Sequence, residues 1–158
     1  MDSSTRTLEP LYEADIPTAV SLLFAMIHYT EERKLFADIP GVRQWWHDTI
    51  RTDLLQDRNQ TYLKVMEKGN MIAFAKWDFS KPDEIVARFL PWPPEINSEA
   101  CEQLMTHIHI WERKRVMGSR RHYYLDMLAI HPAYQGIEAS STLPRWACRQ
   151  ADCDSSDV

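Results

Sequence analysis

Asp126 is the one charged residue in "YYLDMLAI", Tyr123 to Ile130, a run that is apolar or aromatic at every other position. A carboxylate set among Tyr, Leu and Met side chains loses hydration, and burial raises its pKa toward the range where it can take a proton from an amine, directly or through water. Asp126 is therefore the candidate general base. A carboxylate satisfied by structural partners is the equal alternative. Tyr123 and Tyr124 could line an acceptor pocket, although aromatic residues in strands more often pack. Immediately downstream, "HPAYQGIEASSTLPRW" leaves the strand through a His-Pro step and reaches a helix by way of a loop. Backbone amides at such a strand-to-helix turn collect anions.

Other chemistries find little support. His107 and His109 are two apart on a predicted helix and face different ways, whereas a metal pair wants four; the remaining histidines have no partner at ligand spacing, so no metal site is expected. Cys101, Cys148 and Cys153 are odd in number, fit no CxxC spacing and are expected to be reduced thiols. No Ser, His and Asp motif is visible. A net charge of -5 speaks against a nucleic-acid partner. The basic runs "RKR" (Arg113 to Arg115) and "SRRH" (Ser119 to His122) read as a helix end complementing its dipole and a solvated turn. No apolar run approaches the roughly 20 residues of a membrane span, and "MDSSTRTLEP" lacks the features of a secretory signal, so a cytoplasmic location is expected.

The elements that must position Asp126 follow from the pattern. A chain of 158 residues suits one domain, 1–158, with 153–158 as a polar tail. A short alternating stretch precedes a helix with Ile16, Val20, Leu23 and Ile27 on one stripe, Asp15 at its N-cap and Pro17 in its first turn. A short surface helix follows Pro40 and Gly41, with Val42, Trp46, Thr49 and Asp53 or Leu54 tracking one side. "TYLKVMEKGNMIAFAKWDF" is an antiparallel hairpin turning at "EKGN". Ser80 to Ile96, with four prolines, is a connection. "NSEACEQLMTHIHIWERKRVMG" is a helix capped by Ser98 and stopped by Gly118, with Leu104, Ile108 and Trp111 as its buried stripe. Tyr123 to Ile130 is a strand covered on both faces.

The order strand, helix, helix, hairpin, helix, strand, loop, helix, together with "YLDMLAIHPAYQG" and "LPRWACRQAD", resembles the GNAT (Gcn5-related N-acetyltransferase) family and its motif A. "NMIAFAKW" similarly resembles that family's third strand. The resemblance implies an α/β fold with a mixed sheet and transfer of acetyl from acetyl-CoA to an amine of a small molecule. A catalytically inactive remnant acting through protein contacts is the alternative. It implies that the backbone of Leu128, Ala129 and Ile130 holds the pantetheine arm. It also implies that the loop of Gln135, Gly136, Ile137, Glu138, Ala139, Ser140 and Ser141 meets the pyrophosphate. In that alignment Ile137 stands at a usually basic position, with Glu138 and Ser140 where the motif has glycines. Glu138 adds a Cβ and a like charge, worth roughly 4 kcal/mol at about 4 Å in a surface-like dielectric. Such a repulsion removes about three decades of affinity. The family's further parallel strand, helix and closing hairpin find no counterpart in this sequence. Tyr123 to Ile130 would then keep an open edge, available to a homo-oligomer or another partner.

Overall fold

The computed structural model describes residues 5–56, 59–81, 90–136, 139–154 and 158. Four strands, β1 (Arg6–Pro10), β2 (Gln60–Glu67), β3 (Asn70–Asp78) and β4 (Tyr124–Ile130), form one sheet in the order β1-β2-β3-β4. All three pairings are antiparallel. Helices α1 (Ile16–Ile27) and α2 (Pro40–Gln56) cover one face, and α5 (Ala139–Asp154) packs on the other. Between them in sequence lie α3 (Ser98–Met105), a π-helical segment Thr106–Glu112, and α4 (Arg113–Met117). This is the expected α/β class. No helix among the described residues is long and apolar enough to cross a membrane.

The hairpin forms where the turn chemistry demands. Lys68 and Gly69 both take positive φ, 50° and 78°, the pair of left-handed conformations that a two-residue turn uses to match strand twist. Alternation along β3 then sends Phe74 and Lys76 toward α1 and α2, with Asp78 at the strand's end against Arg113 of α4, and Ala73, Ala75 and Trp77 toward α5. Both sets are buried because β3 is an interior strand.

Several expectations need correction. Asn97, not Ser98, caps α3: its side-chain oxygen accepts from the Ala100 amide at 3.1 Å. Asp15 sits at the α1 N-cap position without capping it, because its carboxylate accepts from the Tyr12 amide and from Lys64 instead. Helix α2 is not a short surface helix; it runs 17 residues and buries Val42, Trp45, Trp46, Thr49, Ile50 and Asp53. The expected stripe after Asn97 fails where the backbone becomes π-helical, since i to i+5 bonding shifts every later residue out of the 3.6-residue phase. Trp111, within that segment, is 67% exposed; Leu104, on α3 before it, is 36% exposed without any change of period, and the Ile108 side chain lies outside the described residues. Strand β4 does pack on both faces, Met127 and Ala129 on one and Leu125, Leu128 and Ile130 on the other, but apart from Ala129 its residues are only half-buried, since among the described residues it is the last strand of the sheet.

Candidate functional site

An irregularity in strand pairing positions Asp126. Lys76 pairs with Met127 and Trp77 with Leu125, which leaves Asp126 as an extra residue in β4. Such a β-bulge sets two successive side chains on the same face, so Asp126 and Met127 both line the cavity under α1 and α2. Asp126 Oδ2 lies 3.0 Å from Lys76 Nζ, and the same ammonium lies 2.7 Å from Asp53 Oδ2, contributed by α2. The Tyr62 hydroxyl on β2 donates to Asp53 Oδ2 at 2.7 Å, and Lys76 Nζ sits 5.7 Å from the Tyr62 ring centroid. The three charged side chains are 3 to 7% exposed. Burying an ion is costly unless it is paired and hydrogen-bonded, and here one ammonium serves two carboxylates. The set carries a formal charge of -1.

Around this cluster is a cavity of about 270 Å³. Its wall is mainly apolar, with Met26, Phe36, Trp46 and Met127, and its charged members are Lys76, Asp126 and the exposed Glu32. Tyr124 lines both this cavity and a second hollow on its other side. Tyr123 instead packs in the apolar cluster facing α5, and its hydroxyl donates to Asp154 at 2.6 Å. Burial foremost, and that bond to Asp154, push its pKa up to about 12, so it is a proton donor rather than a base at neutral pH.

A larger hollow, about 430 Å³, lies beside Arg113, Val116, His122 and Leu125. Arg113 there is already occupied. Its guanidinium donates to Asp78 (3.1 Å), the Ser80 carbonyl (3.0 Å) and His122 Nε2 (3.2 Å), and lies 4.1 Å from the Tyr124 ring centroid. The expectation that "RKR" forms a solvated helix end therefore holds for Lys114 and Arg115 only; Arg113 is 3% exposed. This network fastens α4 to the end of β3.

Leu128, Ala129 and Ile130 lie in β4 opposite Ala75, Phe74 and Ala73 of β3, and Ala129 is fully buried. Gln135 and Gly136 are exposed, and Gly136 takes φ 79°, a conformation that a side chain rarely tolerates. Ile137 and Glu138 lie outside the described residues. Ala139, Ser140 and Ser141 belong to the first turn of α5, not to the loop: the helix starts earlier than expected and runs through Pro144. Among the described residues no group of three or more His, Cys, Asp or Glu could hold a metal ion, and all three cysteines are free.

The chain matches no protein-family model and no curated protein sequence. Its architecture does have counterparts. It superposes on a histone acetyltransferase and related acetyltransferase from Corynebacterium glutamicum, with TM-score 0.56 and 13% identity over 93% of this chain and 72% of that one. A GNAT family acetyltransferase from Brucella melitensis, solved with acetyl-CoA, gives TM-score 0.55 and 10% identity over 98% and 73%. An aminoglycoside 6'-N-acetyltransferase from Acinetobacter haemolyticus gives 0.53 and 14% over 95% and 74%. The fold is that of the GNAT acetyltransferases. At such identities the likeness fixes the fold and leaves the chemistry of this chain to its own residues.

Within this GNAT fold, sequence reasoning found Asp126 but missed Asp53, Tyr62 and Lys76. The signals existed singly. Lys76 is a lone cation in the apolar run "NMIAFAKW", and Asp53 falls on the buried stripe of α2. Nothing in the sequence joins residues separated by 23 and 50 positions.

Proposed function

We propose that this protein is an N-acetyltransferase that moves acetyl from acetyl-CoA to an amine of a small molecule. The observation that carries this reading is a GNAT fold whose β4 bulge places a buried carboxylate on the wall of a small cavity. Asp126 accepts the proton that the incoming ammonium must lose before its nitrogen can attack. Lys76 positions that carboxylate, and Asp53 with Tyr62 positions Lys76. The residues fit acetyl-CoA in one respect visible here: Gly136, with its positive φ, and the amino end of the 16-residue α5 offer backbone amides to a pyrophosphate. When bound, acetyl-CoA supplies the thioester whose carbonyl carbon the amine attacks. Leu128, Ala129 and Ile130 would hold its pantetheine arm.

The test is release of free CoA thiol from acetyl-CoA across a panel of amines, with Asp126→Asn alongside wild type. Loss of the base should lower the rate about 100-fold to 10,000-fold while acetyl-CoA binding, followed by calorimetry, persists. The ion pair itself favours a second reading, a non-catalytic protein of this fold, since a carboxylate already bound to Lys76 serves the structure. Absence of both acetyl-CoA binding and thiol release would leave that second reading standing.

A further inference from the structure

The cavity beside Asp126 combines features that a general amine site would not need together. At about 270 Å³ it lies just under the range of ordinary ligand pockets, about 300–1,000 Å³, so it is small for an oligosaccharide or a peptide segment. Its apolar wall comes from three directions: Met26 on α1, Phe36 and Trp46 beside each other with ring centroids 5.2 Å apart, and Met127 on β4. Its charge is concentrated instead of spread. Asp53, Lys76 and Asp126 sum to one negative charge at the sheet, and Glu32 is the only other charged residue on the lining. A further observation concerns the wall supplied by α2. The Thr49 hydroxyl and the Trp46 indole N-H are both buried without a hydrogen-bond partner among the described residues. Buried polar groups of that kind are uncommon, and they often indicate a missing partner.

Resting on the acetyltransferase reading, we propose that the acceptor is a compact apolar monoamine, one ammonium on an aromatic or branched aliphatic body, and that polycationic amines are excluded. The ammonium faces Asp126, where the net negative charge of the cluster attracts it. The body fills the space between Met26, Phe36, Trp46 and Met127, where water is poorly held. A polyamine or aminoglycoside carries three or more ammonium groups; beyond Asp126 the described lining offers only the exposed Glu32 as a counter-charge, so the rest would be buried against the apolar wall at a cost. Aromatic faces reinforce the choice, since they accept both a cation and an apolar ring.

The experiment is calorimetric titration of the full chain, without acetyl-CoA, with four probes: benzylamine, its neutral isostere benzyl alcohol, the triamine spermidine, and an aminoglycoside. Benzylamine should bind at least tenfold more tightly than each of the others. Asp126→Asn should erase its advantage over benzyl alcohol, because the cluster then sums to zero. Met26→Trp, at a half-buried position on the cavity wall, should block benzylamine and leave the circular dichroism spectrum and unfolding midpoint close to wild type. Equal binding of benzylamine and benzyl alcohol, or tighter binding of spermidine or the aminoglycoside, overturns the inference. The two levels separate cleanly. Benzylamine binding without thiol release from acetyl-CoA sinks the acetyltransferase reading alone, and thiol release with polycations but no benzylamine binding sinks only the monoamine pocket.

Discussion

Toward α5 the hairpin presents Leu63, Val65, Ala75 and Trp77; toward α1 and α2, at alternate positions of the same two strands, it presents Tyr62, Lys64, Phe74 and Lys76. The α5 side closes as an apolar layer, with Leu143 and Ala147 buried against it. On the other side two lysines are buried. Lys64 is held by Asp15 at 2.7 Å and Lys76 by Asp53 and Asp126. One sheet thus carries a face that gains stability from water exclusion and a face that gives up some of that gain to hold charge. Buried ion pairs rarely add net stability over well-packed apolar side chains, so among the described residues the two faces of the hairpin are held by different forces.

The contrast breaks most visibly at Lys76. Lys76→Met removes the cation that two buried carboxylates share and should cost about 3–5 kcal/mol in urea unfolding at pH 7. Replacing the trio together, Asp53→Leu, Lys76→Met and Asp126→Leu, should recover most of that loss and abolish amine binding. A triple variant as unstable as the single one would show that the cluster is needed for folding. On the opposite face, Leu143→Ala should cost about 2–5 kcal/mol through the cavity it leaves, with amine binding per folded molecule unchanged. A weakened amine affinity there would mean that the two faces are coupled.

The smallest effect concerns acid. Burial alone would raise the Asp15 carboxyl, but the hydrogen bonds from Lys64 and the Tyr12 amide outweigh it and hold its pKa below the usual 3.8. A depressed carboxylate contributes stability above its unfolded pKa and loses that contribution as pH falls through its folded value. Asp15→Asn should therefore cost about 1 kcal/mol or less at pH 7, with the difference from wild type shrinking once pH drops below about 3.8. A difference that stays constant from pH 7 to pH 3 would assign the effect to shape rather than charge.

How much of this was legible in the sequence depended on how local each cause was. The hairpin was readable because "EKGN" stands between two β-runs, although the two residues that make the turn are Lys68 and Gly69, and Asn70 already pairs in β3. Helix α1 was readable because its apolar stripe repeats over its full length. Trp111 was misread because the π-helical segment changes the period without leaving any mark in residue type. Asn97 and Ser98 are both good caps standing side by side, and only the backbone conformation chooses between them. In the site, Asp126 was found by its contrast with its neighbours. Asp53, Tyr62 and Lys76 were not, because they meet only after a helix has crossed the sheet, and pairing at that distance is a property of topology.

The bulge in β4 has a consequence for how such a site can arise. In the backbone register six of the seven residues of β4 stand opposite a residue of β3, and Asp126 is the extra one, tied to β3 only through its side chain at Lys76. Strike it from the strand and the alternation becomes regular: Tyr124, Met127 and Ala129 still look toward α1 and α2, and Leu125, Leu128 and Ile130 still look toward α5. The carboxylate is thus supernumerary to the sheet. A lineage could gain or lose it through a single codon inserted or deleted while the strand keeps its register, so that the carboxylate and its scaffold are free to evolve on separate histories.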